Sequence, residues 1–351
     1  MLYILFATGA CNLRCSYCGG SIPRDLVPWK VNYDINELKK LLSDDPEPVI
    51  AFYGGEPLLN PEFIMRVMDS FNAKFVIQTN GTLVRRLPED YWRRFDAVLM
   101  SIDGRREVND LYRGRGNYDK VVKAARWLKG IGFKGDLIAR MALWYASDVY
   151  EDVKHLLYLG PFDHVHWQLN VVWTERWNFE GWAEKSYLPG IRRLVSLWLE
   201  EMKRGKVLGI VPFLGIMKVE LFGEWTAPPC GAGVESFSIL PDGRILACPI
   251  AFDVSWSLVG SLKEGIKRKV LIGEPCTSCP YFRYCGGRCL YAYKERLWGE
   301  EGFRSVCEVT KRTIDSVLSV KEEVLGLIRA GVIRKEQLYY PPFNNTTEII
   351  P

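Results

Sequence analysis

Cys11, Cys15 and Cys18 crowd three thiols into the segment Cys-Asn-Leu-Arg-Cys-Ser-Tyr-Cys, directly after a short apolar run. Thiols this close in sequence make poor disulfide partners, and the N-terminus has no basic stretch of the kind that precedes an export signal. Their natural chemistry is metal ligation. A [4Fe-4S] cube has four irons, so three cysteines leave one iron without a protein ligand and open to chemistry. The alternative, a structural zinc, needs a fourth ligand, and no further Cys or His lies within ten residues of the triad.

These thiols must be held by something, and the flanking sequence says what. Short apolar, β-branched runs alternate with amphipathic stretches from Leu2 to Asn170, beginning with Leu2 to Ala7, Val49 to Tyr53, Phe75 to Thr79 and Ala97 to Ile102, then Leu137 to Leu143 and His164 to Asn170. Helical patterns fall near Asn36 to Leu42, Glu62 to Phe71, Asp90 to Phe95, Tyr118 to Ile131 and Val149 to Leu159. Strand and helix alternating in this way predict a parallel sheet with right-handed crossovers that closes partly into a barrel. In such folds the functional groups sit on the loops that leave the carboxyl ends of the strands. The unusual polar segments all fall there: the cysteine triad, Gly54-Gly55-Glu56-Pro57, Gln78-Thr79-Asn80-Gly81 and Ser101-Ile102-Asp103-Gly104. Any one of them alone reads as an ordinary turn; their coincidence on one rim carries the inference.

The spacing Cys-x3-Cys-x2-Cys, with Tyr17 just before the third cysteine, resembles the signature loop of the radical S-adenosylmethionine (SAM) enzymes. The resemblance implies that Gly54, Gly55 and Glu56 bind the amino group of SAM, and that Ser101, Arg113 and Arg140 approach its carboxylate or sugar. It places Gln168 and Asn170 near the adenine or the substrate. Physics adds a reason for Arg140: inside the apolar strand Ile138-Ala139-Arg140-Met141-Ala142 a cation needs an anionic partner. The alternative partner is an internal carboxylate such as Asp103. His164 and His166 alternate with Val165 and Trp167 and read as half-buried sheet residues, and Gly114-Arg115-Gly116 reads as a turn.

Seven further cysteines follow residue 222, after Gly223 and Pro228-Pro229 break the regular pattern. Between them a hairpin from Phe237 to Leu246 turns at Pro241-Asp242-Gly243, the cysteines are expected in loops, and hydrophobic periods are too few for a core. Bound metal is therefore expected to supply much of the folding energy. Zinc is again the alternative, since Cys-x2-Cys with distant partners is a common zinc layout. The order of Cys230, Cys248, Cys276, Cys279, Cys285, Cys289 and Cys307 resembles in full the SPASM extension of radical SAM enzymes. The resemblance implies three [4Fe-4S] clusters in all, one auxiliary cluster on Cys230, Cys248 and Cys289 and a second on Cys276, Cys279, Cys285 and Cys307. The fold expected is α/β, a partial (β/α)6 TIM-like barrel with its linker helix over residues 1–222, a small loop-rich iron-sulfur SPASM domain over 223–310, and a C-terminal helix and tail over 311–351. The helix is expected from Lys311 to Ala330, with an extended or disordered tail from Tyr339.

Composition narrows the partners. The chain has 351 residues, 48% of them hydrophobic, and 46 basic against 42 acidic side chains, a balance that argues against nucleic acid. Leu2 to Ala7 is too short to span a bilayer, so neither membrane nor export is expected, and ten cysteines in a reducing cytoplasm point to metal. The resemblance implies a maturase that cleaves SAM reductively to a 5'-deoxyadenosyl radical and abstracts hydrogen from a ribosomally made peptide, forming a thioether or carbon-carbon crosslink. It implies an electron donor such as ferredoxin or flavodoxin. Because the first strand begins at Leu2, a leader is expected to be recognised by a separate leader-peptide-binding protein or by the barrel and tail. The alternatives are a sulfatase-type protein maturase, a tetrapyrrole side-chain oxidase, and a non-catalytic zinc module. Relatives that mature sulfatases have an Asp after the cysteine matching Cys248, where this chain has Pro249. Anaerobically reconstituted protein is expected to hold about twelve irons, from three four-iron cubes; stoichiometric zinc with iron near zero would contradict this.

Overall fold

The computed structural model describes residues 1–341. Six parallel strands, β1 (Leu2–Thr8), β2 (Val49–Gly54), β3 (Lys74–Thr79), β4 (Ala97–Ser101), β5 (Asp136–Leu143) and β6 (His164–Leu169), lie side by side in sequence order. The helices between them are α1 (Ile35–Leu42), α2 (Pro61–Ser70), α3 (Glu89–Trp92), α4 (Arg106–Arg113), α5 (Asn117–Gly130) and α6 (Val149–Tyr158). All seven residues of β1 are buried, as expected of a parallel strand covered on both faces. Helix starts are where the capping chemistry puts them. Asp34 accepts from the Asn36 N–H at 2.8 Å, Asp148 from the Tyr150 and Glu151 N–H groups, and Pro61 opens α2 behind the cap Asn60. Strand and helix bounds match the alternation read from the sequence to within a few residues, and α4 is an addition to it.

The sheet does not end at β1. After α7 (Phe179–Trp182), α8 (Leu188–Lys203) and α9 (Val211–Phe222), strand β7 (Ser236–Ile239) pairs in parallel with β1, Leu2 opposite Ser236 and Leu5 opposite Ile239. The antiparallel strands β8 (Arg244–Leu246), β9 (Leu258–Ser261) and β10 (Gly265–Ile266) extend it outward. The order is β10-β9-β8-β7-β1-β2-β3-β4-β5-β6, so β6 never meets β1 and the barrel stays open. The hairpin of β7 and β8 needs no core of its own, because Phe237, Ile239, Ile245 and Leu246 are buried in the same core as β1.

Three expectations are corrected. The cysteine-rich region is not held in loops alone: Cys285 ends α10 (Phe282–Cys285), Cys289 precedes α11 (Leu290–Glu295), and Cys307 lies within α12 (Gly299–Leu318). Helix α12 starts well before Lys311 and stops at Leu318, with α13 (Lys321–Arg329) following a break at Ser319 and Val320. The start of the tail is extended at Tyr339, as expected, and is docked on the barrel: Tyr340 is buried and its ring meets His164 at 5.1 Å. The rest of the expected tail, from Pro342, lies outside the described residues. His166 is buried, not half-buried. Among the described residues no helix is long and apolar enough to cross a membrane.

Candidate active site at the open rim

The loops leaving β1 to β6 surround a cavity of about 640 Å³. Cys11, Cys15, Tyr17, Cys18, Gly54, Gly55, Glu56, Ser101, Arg113, Arg140, Gln168 and Asn170 all line it, and so do Cys230, Cys248 and Cys289 from the second cysteine region. Cys276, Cys279, Cys285 and Cys307 do not line it. The structure thus brings together the residues singled out at the rim and separates the seven later cysteines into three and four.

The cysteine loop is stitched to its neighbours by backbone and short polar side chains. Its base closes through the Cys11 N–H to Ser21 Oγ at 2.9 Å and the Ile22 N–H to the Gly9 carbonyl at 2.9 Å. The Cys18 and Gly19 N–H groups both donate to the Cys15 carbonyl, and the Ser16 N–H donates to the Tyr112 carbonyl near the end of α4 at 2.9 Å. Asn80 donates to Asn12 Oδ1, and Asn12 donates to Thr82, which ties this loop to the one after β3. No disulfide joins any of the ten cysteines.

Gly54 and Gly55 serve that stitching first. A Cβ on Gly54, whose φ is +132°, would sit 2.1 Å from the Thr8 carbonyl oxygen, and one on Gly55 would sit 2.2 Å from that of Ala10. The glycines let the end of β2 lie against the end of β1, with the Gly55 and Glu56 N–H groups donating to Thr8 and Ala10 at 3.0 and 2.8 Å. The buried Glu56 carboxylate accepts from the Leu58 N–H at 3.0 Å, the Thr79 hydroxyl at 2.7 Å and the Asn80 N–H at 2.7 Å. Three of its acceptor sites are therefore engaged inside the protein, which gives it a positioning task between two loops. Burial outweighs these donors and raises its pKa to about 7.

The charged centre of the rim is Asp103, which sequence reasoning passed over except as a candidate partner for Arg140. Its partner is Arg113: Nε and Nη2 meet Oδ2 and Oδ1 at 2.8 and 2.9 Å in a bidentate pair with both side chains buried. Asp103 also accepts from the Tyr17 hydroxyl at 2.8 Å and the Ala142 N–H at 2.8 Å. Although burial works against the Arg113 charge, Asp103 holds its pKa above the usual arginine range. The guanidinium stands 5.5 Å from the Tyr17 ring centroid. Tyr17 is therefore fastened from two sides, and its phenol is pushed well above its ordinary pKa, by burial first.

Strand register places the remaining polar groups. Ser101 lies opposite Arg140 and Ala142 opposite Gln168, so groups from β4, β5 and the end of β6 reach one wall of the cavity. Two further groups lining the cavity carry no sequence signal beyond their type. Trp173 has a left-handed backbone (φ 57°), is 45% exposed and packs on Phe252 with centroids 5.6 Å apart. Asp253 and Glu56 are the two carboxylates lining the cavity, and Asp253 makes no hydrogen bond or ion pair among the described residues.

The thiols interact in their separate sets. Cys15 and Cys18 share a hydrogen bond that lowers the Cys18 pKa and, together with burial, raises that of Cys15, while the charge of Arg113 works to lower both. Cys276, raised to about 11 by burial, also feels the negative charge of Cys285, Cys307 and Cys279. Yet among the described residues no three His, Cys, Asp or Glu form a group that could hold a single metal ion.

A carboxyl with a raised folded-state pKa favours folding below its unfolded value of 4.5, and loses that contribution as pH rises through about 7. Relative to Glu56→Gln, the wild type is expected to lose about 3 kcal/mol of stability over that window, from about 1.4 kcal/mol per pKa unit. Chemical denaturation without SAM at a series of pH values measures it. A difference that stays flat with pH would contradict the assignment.

Residues 5–157 match the Radical SAM superfamily. Over 338 residues the chain is 25% identical to the cysteine-type anaerobic sulfatase-maturating enzyme of Clostridium perfringens (strain 13 / Type A), covering 82% of this chain and 88% of that one. It is similar in fold to native anSMEcpe with bound AdoMet, with a TM-score of 0.71 at 21% identity over 94% of this chain and 100% of the other. It is also similar to Streptococcus suis SuiB bound to the precursor peptide SuiA, with a TM-score of 0.56 at 16% identity over 84% and 73% of the two chains. The thiol loop thus sits on an open parallel barrel whose residues 5–157 form the part of this chain that matches the Radical SAM superfamily.

Proposed function

We propose that the chain modifies a ribosomally made peptide, joining two of its groups by a thioether or carbon-carbon bond. The observation that carries this reading is one cavity lined both by Cys11, Cys15 and Cys18 and by Cys230, Cys248 and Cys289. A [4Fe-4S] cluster on the first three thiols, with SAM bound, supplies a 5'-deoxyadenosyl radical when reduced by a low-potential donor of the ferredoxin or flavodoxin class. The rest of the work belongs to the chain. Gly54 to Glu56 and the wall of Ser101, Arg140, Gln168 and Asn170 hold SAM, and Asp103 with Arg113 keeps Tyr17 and the thiol loop in place. The enclosing loops exclude water from the reacting atoms.

Crosslinking is a two-electron oxidation. A substrate C–H gives a hydrogen atom to the deoxyadenosyl radical, the partner S–H or C–H gives up a proton as the new bond forms, and one electron remains to be removed. Cys230, Cys248 and Cys289 would hold an auxiliary cluster that would supply an acceptor for that electron, and the Asp253 carboxylate takes the proton. Cys276, Cys279, Cys285 and Cys307 would hold a second auxiliary cluster, which would offer the electron a way outward and bring the clusters to three. A leader sequence on the peptide falls to a separate binding protein or to the barrel.

A sulfatase-type maturase is the second reading. Likeness to the Clostridium perfringens enzyme favours it, and Asp253 offers a carboxylate in the cavity that Pro249 does not. Both readings are tested by offering reduced enzyme cysteine-containing peptides deuterated at carbon. The first expects deuterium in 5'-deoxyadenosine and a peptide lighter by two hydrogens with a new crosslink. Asp253→Asn is expected to keep deuterium transfer but lose product about 100-fold, the low end for removing a proton acceptor. Reaction of a sulfatase-derived peptide alone would favour the second reading, and full product yield from Asp253→Asn would remove that residue from the chemistry.

A further inference from the structure

The link between the two sets of later cysteines is a sharp bend, Cys285-Gly286-Gly287-Arg288-Cys289. Three consecutive residues of it are left-handed, with φ of 54°, 79° and 61°. For the two glycines this is unstrained. For Arg288 it is an unfavourable conformation, held by the Arg288 N–H donating to the Cys285 carbonyl at 2.6 Å. The bend lets one chain segment turn from the four-thiol set to the three-thiol set, with Arg288 at the pivot.

Arg288 is only 7% exposed. A buried guanidinium requires an anion, as Arg113 has in Asp103, yet Arg288 has no carboxylate at ion-pair distance among the described residues, and its Nη1 has no hydrogen-bond partner. Apart from the buried Tyr187 phenol, the groups that feel its charge are thiols: Arg288 pulls Cys285 and Cys307 down against the burial that raises them. Cys289, of the other set, is its chain neighbour. A cube with four thiolate ligands carries net negative charge, and nearby positive charge and N–H groups are main controls on its reduction potential.

We propose that Arg288 is the built-in counter-cation of the auxiliary iron-sulfur sites, placed to raise the reduction potential of the cluster on Cys276, Cys279, Cys285 and Cys307 so that it can receive electrons from its neighbour. The proposal rests on the auxiliary-cluster reading above. It explains why an arginine occupies a left-handed, buried position with no carboxylate to meet it. Arg288 is a positioning and tuning residue; it touches neither SAM nor substrate in this account.

The test uses full-length, anaerobically reconstituted wild type, Arg288→Lys and Arg288→Met, with iron content and a redox titration read by electron paramagnetic resonance. All three side chains are unbranched and bear the same backbone strain, so the comparison isolates charge. At the potential that half-reduces the wild-type cluster, Arg288→Met is expected to show its reduced-to-oxidised ratio lowered about tenfold, equivalent to about 59 mV for one electron, with Arg288→Lys recovering most of it. Equal potentials in the three proteins would overturn the proposal. Should Arg288→Met hold less iron, the denaturation midpoint of metal-free protein decides. An unchanged or higher midpoint supports a charge needed only by the cluster, and a lower one shows a structural arginine and overturns it. The underlying reading fails separately, if Cys276→Ala and Cys279→Ala leave the iron content of wild type unchanged.

Discussion

The rim depends on one buried ion pair. Asp103 sits where β4 ends, and its two oxygens collect four donors: two from Arg113 on α4, one from Tyr17 in the thiol loop and one from the backbone of β5. A buried carboxylate with no cation would be expensive, and so would the cation alone, so neither residue can be removed without stranding the other. Paired, they fix the distance from the first loop to the fourth and fifth strands, which is the width of the cavity. The interaction also explains why Tyr17 precedes the third thiol: its ring meets the guanidinium and its hydroxyl reaches the carboxylate.

On the other flank the same task is done with little charge. Gly54 and Gly55 bring backbone against backbone where a single Cβ would collide, and Glu56 gathers donors from its own turn and from Thr79 and Asn80. The thiol loop is thus clamped between an ion pair and a backbone splice. Both are rigid, and both leave the thiols facing the cavity instead of consuming them. Such a shell suits chemistry in which the bound group does the bond breaking and the protein decides which atom it can reach.

Much of this was legible before the structure. The alternation of β-branched runs and amphipathic stretches carries its own topology, because parallel neighbours joined by right-handed crossovers put successive loops on one rim. What was not legible depends on contacts distant in sequence. That β7 would pair with β1 is a matter of which edge is left open, and nothing in Ser236 to Ile239 names its partner. Helix α9 is apolar nearly all round, with Val211 to Leu214 and Ile216 to Val219 buried, so it has no polar face for a period to reveal. The first half of α12 is rich in Glu, Gly and Arg, which hid a helix that carries Cys307. Asp103 was read only as an alternative partner for Arg140, and its pairing with Arg113 depends on where α4 lies. Trp173 and Asp253 sit on loops that the fold, not their neighbours, turns toward the cavity.

Cys11, Cys15 and Cys18 line the cavity as ligands for a cluster with one iron open to SAM. Electron–nuclear double resonance on reduced protein, with SAM isotopically labelled at its amino nitrogen, tests it most directly. A hyperfine coupling between the label and a cluster spin is expected in the wild type and is expected to disappear in Cys15→Ala. Absence of coupling in the wild type, or its persistence in that variant, would contradict it.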